Sequence, residues 1–410
     1  MHYVVIGNSA AAIGCVEGIR SVDTNGKITL ISNEPYHTYS RPLISYLLSG
    51  RTDERRMKYR PDDFYQKNHC TTRFGVSATA VDAEAKTVSL SDEEVLHYDR
   101  LLIATGSRPF IPPIDGLEQV KESFSFLSLD DAKALEAALT PKSRVLIVGA
   151  GLIGLKCAEG IQGRVKSITV VDLADRILPS ILDEKGAVLV QRHIEKQGIK
   201  FYLSDGVVRF AGHTALLKSG ESVDFDILVI AVGVRPNTEL AAQAGALVNR
   251  GIVTGPACQT SLQDVYAAGD CSESYDITTG TNRILALLPN AYMQGETAGI
   301  HMAGGSAAYE KAIPMNAIGF FGLHMITAGN YDGEEYVEET QNSYKRLITK
   351  DNRLKGFILI GNIARAGIYT SLIREQNPLD EINYDLIKEK PQLMAFAASE
   401  RAAKLGGTHG

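Results

Sequence analysis

Setting Gly7 against Gly149 aligns YVVIGNSAAAIGCVEGI with VLIVGAGLIGLKCAEGI, and the match runs on through C-x-E-G-I at residues 15–19 and 157–161. A second apolar run follows each segment, ITLISNE at 28–34 and ITVVDLA at 168–174. Further on, LLIATGSRP (101–109) and LVIAVGVRP (228–236) continue the parallel. Helical segments between short apolar strands are the pattern of parallel β-α-β units. A chain that writes this pattern twice holds two copies of one nucleotide-binding architecture. The second copy carries a complete G-x-G-x-x-G in Gly149, Gly151 and Gly154. Its late position in the chain follows from the duplication.

The remaining elements are read around the repeat. Strand 3–7, helix 10–20 and strand 28–32 open the first copy, and residues 51–75 read as a helix with connections. The stretch 79–106 alternates like a small antiparallel meander returning to a buried strand, and the proline-rich SRPFIPPIDG (107–116) reads as a linker. Helix 130–139, strand 144–149 and helix 152–162 begin the second copy, which ends near GVRPN (233–237). VYAAGDC (265–271) is a further buried strand, and 288–304 a helix with small residues on one face. From about residue 306 the character changes. GFFGLHMITAGNY, the acidic DGEEYVEET and SYKRLITKDNRLKGFILIG alternate like an antiparallel sheet with a D-N turn, followed by a helix at 362–376. The tail KLGGTHG reads as mobile. The fold class is therefore α/β, with two Rossmann-like dinucleotide-binding domains and a C-terminal α+β domain.

Composition narrows the class of partner. The net charge of −6 over 410 residues gives no electrostatic reason to bind nucleic acid or an anionic membrane. The five cysteines, Cys15, Cys70, Cys157, Cys258 and Cys271, have neither C-x-x-C nor C-x4-C spacing. They form no zinc or local disulfide motif, and they suit a reducing compartment. No pair of the nine histidines has metal-ligand spacing. MHYVVIG enters a strand at once without signal-peptide character, and no apolar stretch approaches the roughly 20 residues that span a bilayer. The expectation is a cytoplasmic protein.

In the second copy, the glycines permit a tight turn and close approach of a pyrophosphate to a helix N-terminus. Asp172 ends the next strand 18 residues past Gly154, placed to bond an adenosine ribose diol. A carboxylate there repels a 2′-phosphate, so NADH is favoured over NADPH, and Arg176 moderates the preference. The first copy is degenerate, with Ser9 and Ala12 after Gly7 where glycines would stand. Small residues still allow close packing, and Glu34 takes the ribose position.

The order of first fingerprint, ATGSRP, second fingerprint, GVRPNTEL and VYAAGDC resembles the two-domain flavoprotein reductases of the pyridine nucleotide-disulfide oxidoreductase superfamily, over about residues 1–305. The resemblance implies FAD in the first copy and NAD(P)H in the second. It divides the chain into 1–108 (FAD, first part), 109–236 (NAD), 237–305 (FAD, second part) and 306–410 (C-terminal interface or acceptor domain). It further implies that Gly269 and Asp270 hold the ribityl or phosphate region, and that Thr105 and Gly106 line the pyrophosphate and adenosine path. Asn290 and Ala291 would face the pyrimidine end of the flavin. Gly7, Ser9, Ala10, Ala11, Ala12, Pro42, Ala78 and Ala104 complete the FAD set, and Leu152, Ile153, Val232 and Gly233 the NAD set.

The branch turns on what lies against the flavin. Disulfide reductases carry redox cysteines on the first helix or after the ribose carboxylate. Here Cys15 has its twin in Cys157, which reads as packing, and PYHTYSRPLISYLLSG after Glu34 has no cysteine. YSRPLISYLL, together with RAG in GNIARAGIYTSLIREQ, resembles the rubredoxin-reductase and nitrite-reductase-large-subunit branch. Many superfamily members place a lysine after the R-P segment, paired with a glutamate two residues after the last fingerprint glycine. This chain departs at both places, with Ser45 or Tyr46 at the first and Lys156 at the second. Lys156 is therefore the candidate catalytic cation, reaching the isoalloxazine from the NAD domain and stabilising the anionic reduced flavin. A solvent-facing helix lysine is the alternative. Arg41 is expected to grip the FAD pyrophosphate, with a surface arginine as the alternative. His37, in the loop near the flavin, is the one histidine to watch, and an ordinary loop residue is the expected reading of it.

The expected activity is electron transfer between NAD(H) and a small rubredoxin- or ferredoxin-like iron–sulfur protein through flavin N5, without a redox disulfide. The alternatives are an NADH oxidase or peroxidase, and a flavoprotein subunit or NADH sensor within a larger complex. A homodimer and a hetero-complex both remain open.

Overall fold

The chain is described from a computed structural model over residues 1–396 and 401. The expected mobile tail lies outside these residues. Alternate residues of strand His2–Ile6 feed two different core clusters. Tyr3 and Val5 pack with Ile13, Val16 and Ala298, whereas Val4 and Ile6 pack with Val81, Val88 and Ile103. A strand buried on both faces belongs in the middle of a parallel sheet. Its neighbours are 27–32 and 100–103, in the sheet order 265–267, 100–103, 2–6, 27–32, 70–74, and every pairing is parallel.

The second copy repeats this order with 123–124, 227–230, 144–148, 167–171 and 199–202, again all parallel. Each sheet carries an antiparallel meander, 78–97 on the first and 207–224 on the second. The second meander escapes the sequence reading, because its polar outer positions hide the alternation. The two R-P segments pair with each other, Ser107–Pro109 against Val234–Pro236. The expected linker thus begins as a crossover strand.

Helix α1 (Ala10–Val22) follows the first strand, and the short α2 (Ile44–Leu48) follows the R-P turn, which Pro42 starts. The segment 51–75, expected as a helix with connections, holds the short α3 (Phe64–Lys67), and Cys70–Phe74 is the edge strand of the first sheet. CTTRF is too polar and too little buried to announce a strand. Helix α4 (Leu129–Ala138) starts at a capping box of Ser128 and Asp131, and α5 (Leu152–Ile161) carries the second fingerprint.

The chain divides into two compact units, with both parallel sheets in the first. The second contains 313 onward together with 176–197, which includes helix α6 (Glu184–Glu195), and 277–280. In this second unit a five-stranded antiparallel sheet turns at Asp351 and Asn352, both with positive φ as the D-N turn requires. The helix that follows this sheet begins at Ala366, four residues later than expected, because Arg365 is left-handed. Back in the first unit, the short α7 (Glu239–Gln243) precedes the strand 265–267, and α8 (Leu288–Met302) lies along α1. Among the described residues no helix is long and apolar enough to cross a membrane.

Candidate functional site

Two helix N-termini stand at equivalent places in the two copies. Ser9 caps α1 and Gly151 caps α5, each with extended backbone and neither with a side-chain cap bond. Orphan amides left without a side-chain cap, at the positive end of a helix dipole, favour an anion. Gly7 and Gly149 have φ of +135° and +117°, and a Cβ on either would come within 2.3 Å of the carbonyl of Ala104 or Ala231. Only glycine lets these strand ends cross, which explains why they survive in both copies.

Around the first N-terminus lies a shallow cleft lined by Asn8, Ser9, Glu34, Tyr36, His37, Tyr39 and Arg41. Arg41 Nη2 donates to Glu34 Oε2 at 2.7 Å, and the Tyr39 hydroxyl donates to Glu34 Oε1 at 2.9 Å. The Leu129 amide at the start of α4 donates to Tyr39 at 3.0 Å. Arg41, expected at a pyrophosphate, is found holding the carboxylate expected at the ribose. Tyr65 donates to Asn8 Oδ1 at 2.7 Å, and Asn8 Nδ2 donates to the Tyr36 carbonyl at 3.1 Å. His37 Nε2 is buried without a hydrogen-bond partner.

Farther along the same unit, Gly269 is left-handed, and a Cβ on it would lie 3.2 Å from the Ala11 methyl and 3.6 Å from that of Ala291. Its amide donates to Gln294 Oε1 at 2.6 Å, which fixes the start of the next residue, Asp270. The Asp270 carboxyl receives Ser107 Oγ at 3.4 Å. Burial raises its pKa, opposed by that hydrogen bond and by the charge of Arg41. Asn290 is 3% exposed and accepts from the Tyr309 hydroxyl at 2.7 Å. Thr105 and Asn237 exchange two bonds, at 2.7 and 2.8 Å, joining the two R-P segments. Uncapped amides at α1, a buried carboxyl with one long bond and an unpartnered His37 nitrogen fit a long diphosphate cofactor such as FAD. Ala10 and Ala12 are buried in the first turn of α1 and pack in one core cluster with Ala104, Gly106 is left-handed, and Ala78 opens the first meander; none of the five is among the cleft's lining residues.

At the second N-terminus, Asp172 accepts from the Ala150 amide at 2.5 Å and the Ala174 amide at 2.8 Å. It thereby ties the glycine turn to the end of the neighbouring strand, with lone pairs left for a diol. A Cβ on Gly154 would lie 2.0 Å from the Gly149 carbonyl, so the turn closes only without one, while beside Gly151 and Gly233 there is open space. Leu152 and Ile153 form the partly exposed first turn of α5, and Val232 is 38% exposed beside Gly233.

Lys156 lies where α5 meets α2. It pairs with Glu159 one turn on, and its Nζ sits 4.8 Å from the centre of the Tyr46 ring. The Glu159 side chain is only 5% exposed and also lies 3.6 Å from Arg51. Of the cysteines, Cys15 and Cys157 are fully buried, and desolvation pushes both thiols up, away from the thiolate. Among the described residues, no group of three or more His, Cys, Asp or Glu is arranged to hold a metal ion.

Sequence reasoning missed Asn8, Tyr36, Tyr39 and Tyr65 at the first cleft, Asn237 beside Thr105, and Glu159 and Arg51 beside Lys156. The tyrosines had a signal in the aromatic density of PYHTYS. The signal for Glu159 lies in the repeated C-x-E-G-I, whose glutamate recurs together with its cysteine.

The sequence pattern of the pyridine nucleotide-disulphide oxidoreductase family matches residues 1–295, and that of the rubredoxin NAD+ reductase C-terminal domain matches 314–377. The chain is 31% identical over 391 residues to the NADH-dependent phenylglyoxylate dehydrogenase subunit epsilon of Aromatoleum evansii, covering 92% of each. It is 30% identical to the NAD(P)H nitrite reductase of Bacillus subtilis over 92% of this chain, but spans only 48% of that relative. Among solved structures, the covalent putidaredoxin reductase–putidaredoxin complex matches with a TM-score of 0.87 and 22% identity over 99% of both chains.

Proposed function

The chain belongs to the pyridine nucleotide-disulphide oxidoreductase family and is an NAD(P)H-dependent oxidoreductase with FAD as its cofactor; from that premise we propose that it passes electrons between NADH and a small iron–sulfur carrier protein or subunit. The observation that carries this reading is the duplicated, uncapped helix N-terminus, at Ser9 and at Gly151, followed by a C-terminal region of the rubredoxin NAD+ reductase type. FAD, when bound, supplies the exchange between two-electron chemistry with NADH and one-electron chemistry with the carrier. Residues 1–108 and 237–305 hold FAD, 109–236 hold NADH, and 306–410 face the acceptor.

In this reading, the amides that follow Gly7 receive the FAD diphosphate, and Glu34, steadied by Arg41 and Tyr39, takes the adenosine ribose. Asp270 takes a ribityl hydroxyl, and Asn290 and Ala291 lie at the pyrimidine end. Asp172 bonds the ribose of NADH and repels a 2′-phosphate. Lys156 supplies positive charge beside the flavin. Burial of the Cys15 and Cys157 thiols supports passage of electrons without a thiol relay.

A second reading, an electron-transfer subunit of a larger complex, is favoured by the 92% coverage of each chain in the match with subunit epsilon. Anaerobic reduction by NADH in a stopped-flow instrument, followed by mixing with rubredoxin, ferredoxin or oxygen, tests the proposal. Reoxidation by an iron–sulfur protein within a turnover is expected. Rapid reoxidation by oxygen alone would overturn it in favour of an oxidase. No turnover with any of the three would favour the subunit of a complex.

A further inference from the structure

The C-x-E-G-I signature lies outside both nucleotide fingerprints, yet it appears in both copies, and its parts play matched roles. Cys15 and Cys157 are buried. A Cβ on Gly18 would come within 2.3 Å of the Glu296 carbonyl of α8, and one on Gly160 within 2.8 Å of the Ser45 carbonyl of α2. Each glycine therefore lets a different helix press against its own. The glutamates between them reach the two ends of one segment, RTDERRMKYR at 51–60. Glu17 accepts from Arg60 at 2.7 and 2.8 Å and from the Tyr292 hydroxyl at 2.7 Å. Glu159 lies 3.6 Å from Arg51 and pairs with Lys156. The tyrosines correspond as well. Arg60 lies over the Tyr292 ring at 5.5 Å, and Arg51 over the Tyr46 ring at 5.6 Å, which Lys156 also approaches. One strap is thus clasped at one end to the helix of the first copy and at the other to the helix of the second.

We propose that Glu159 and Arg51 are positioning residues for Lys156. The inference rests on the reading of Lys156 as the cation beside the flavin. The buried Glu159 carboxylate sits between two cations. It draws the Lys156 ammonium along α5, while Arg51 holds the same carboxylate from the strap. Without the carboxylate, Lys156 and Arg51 are two like charges over one aromatic ring, in a site of reduced dielectric where their repulsion is strong. The lysine then leaves its place. The sign of the effect is diagnostic. Deleting an anion near a flavin by itself favours reduction, whereas losing a placed cation disfavours it.

The experiment uses the FAD-loaded full chain and measures the equilibrium of flavin reduction by NADH, its pH dependence and the thermal midpoint. Lys156→Met is expected to shift the equilibrium about tenfold against reduction. Glu159→Gln should shift it the same way by threefold or more, and Arg51→Gln by about threefold, with Arg51→Lys restoring it. Arg60→Gln, at the other clasp of the same strap, should lower the thermal midpoint and leave the equilibrium in place. Glu159→Gln in the Lys156→Met background should add nothing. A shift toward reduction, no shift, or a shift that persists without the lysine overturns the positioning role. If Glu159→Gln does not retain FAD, the half-exposed Arg51 carries the test. If Lys156→Met itself moves nothing, the reading of Lys156 falls, which is a separate and recognisable result.

Discussion

Helix α1 turns Gly14 and Gly18 toward α8, and Gly295 and Gly299 of α8 answer them, so that backbone meets backbone along the pair. Helix α5, built from the same motif, has Lys156 where α1 has Gly14, and receives the short α2 instead. A Cβ at Gly14 would stand 2.2 Å from the Tyr292 carbonyl, whereas the equivalent place on α5 has room for a lysine reaching Tyr46. The duplication therefore kept the turn, the buried cysteine and the anchoring glutamate, and freed one position where the packing partner changed. The position that breaks the repeat became the candidate for chemistry.

Making the first copy resemble the second is the harshest test of this comparison. Gly14→Lys should force α1 and α8 apart and cost more than about 4 kcal/mol, at the diagnostic end of single substitutions. Soluble yield, thermal midpoint and bound FAD should all fall. Ordinary stability in this variant would show that the two helices do not meet through their glycines.

Asp172→Ala, in the second copy, should raise the KM for NADH roughly 10–100-fold, the worth of a charge-assisted bond of about 1.5–3 kcal/mol. Steady-state kinetics with NADH and NADPH should show the preference between them shrinking. An unchanged preference would remove Asp172 from the ribose site.

Arg60→Gln breaks the tighter clasp, a part-buried two-pronged pair, and should cost about 1–2 kcal/mol. Burial raises the Glu17 pKa, but the bonds from Arg60 and Tyr292 outweigh it and hold the carboxyl below its ordinary 4.5. A depressed folded value gives stability that is full above the unfolded value and lost as pH falls through the folded one. The gap between wild type and Arg60→Gln, followed by thermal melts, should therefore narrow on acidification below about pH 4.5.

The smallest effect belongs to the other clasp. Arg51 is half exposed and 3.6 Å from Glu159, so Arg51→Gln should cost less than about 1 kcal/mol, and less still at high salt. Equal stability losses at Arg51 and Arg60 would erase the asymmetry between the clasps.

The strands 2–6, 27–32 and 144–148 and the helices α1, α4, α5 and α8 were legible, within a residue or two, because apolar runs and glycine turns report local backbone preference. The strand read over 265–271 covers only 265–267, and the parallel strands 123–124 and 199–202 gave no such signal. The strand 70–74 and the second meander were less so, since edge positions and one-sided sheets tolerate polar residues. The cleft beside α1 was half legible: Glu34 and Arg41 were expected there, but their pairing was not.

The sequence by itself determined that the nucleotide fold is written twice, that glycine stands where strand ends cross, and that Lys156 departs from its twin. These are properties of short windows or of their comparison, where sterics and periodicity act. Only the tertiary structure decided that Glu159 meets Arg51 and that Thr105 meets Asn237, each more than a hundred residues away. Such contacts depend on which helix packs against which, and no local pattern encodes that choice. The packing of α2 on α5 set it, and with it the surroundings of the one lysine that the repeat left unexplained.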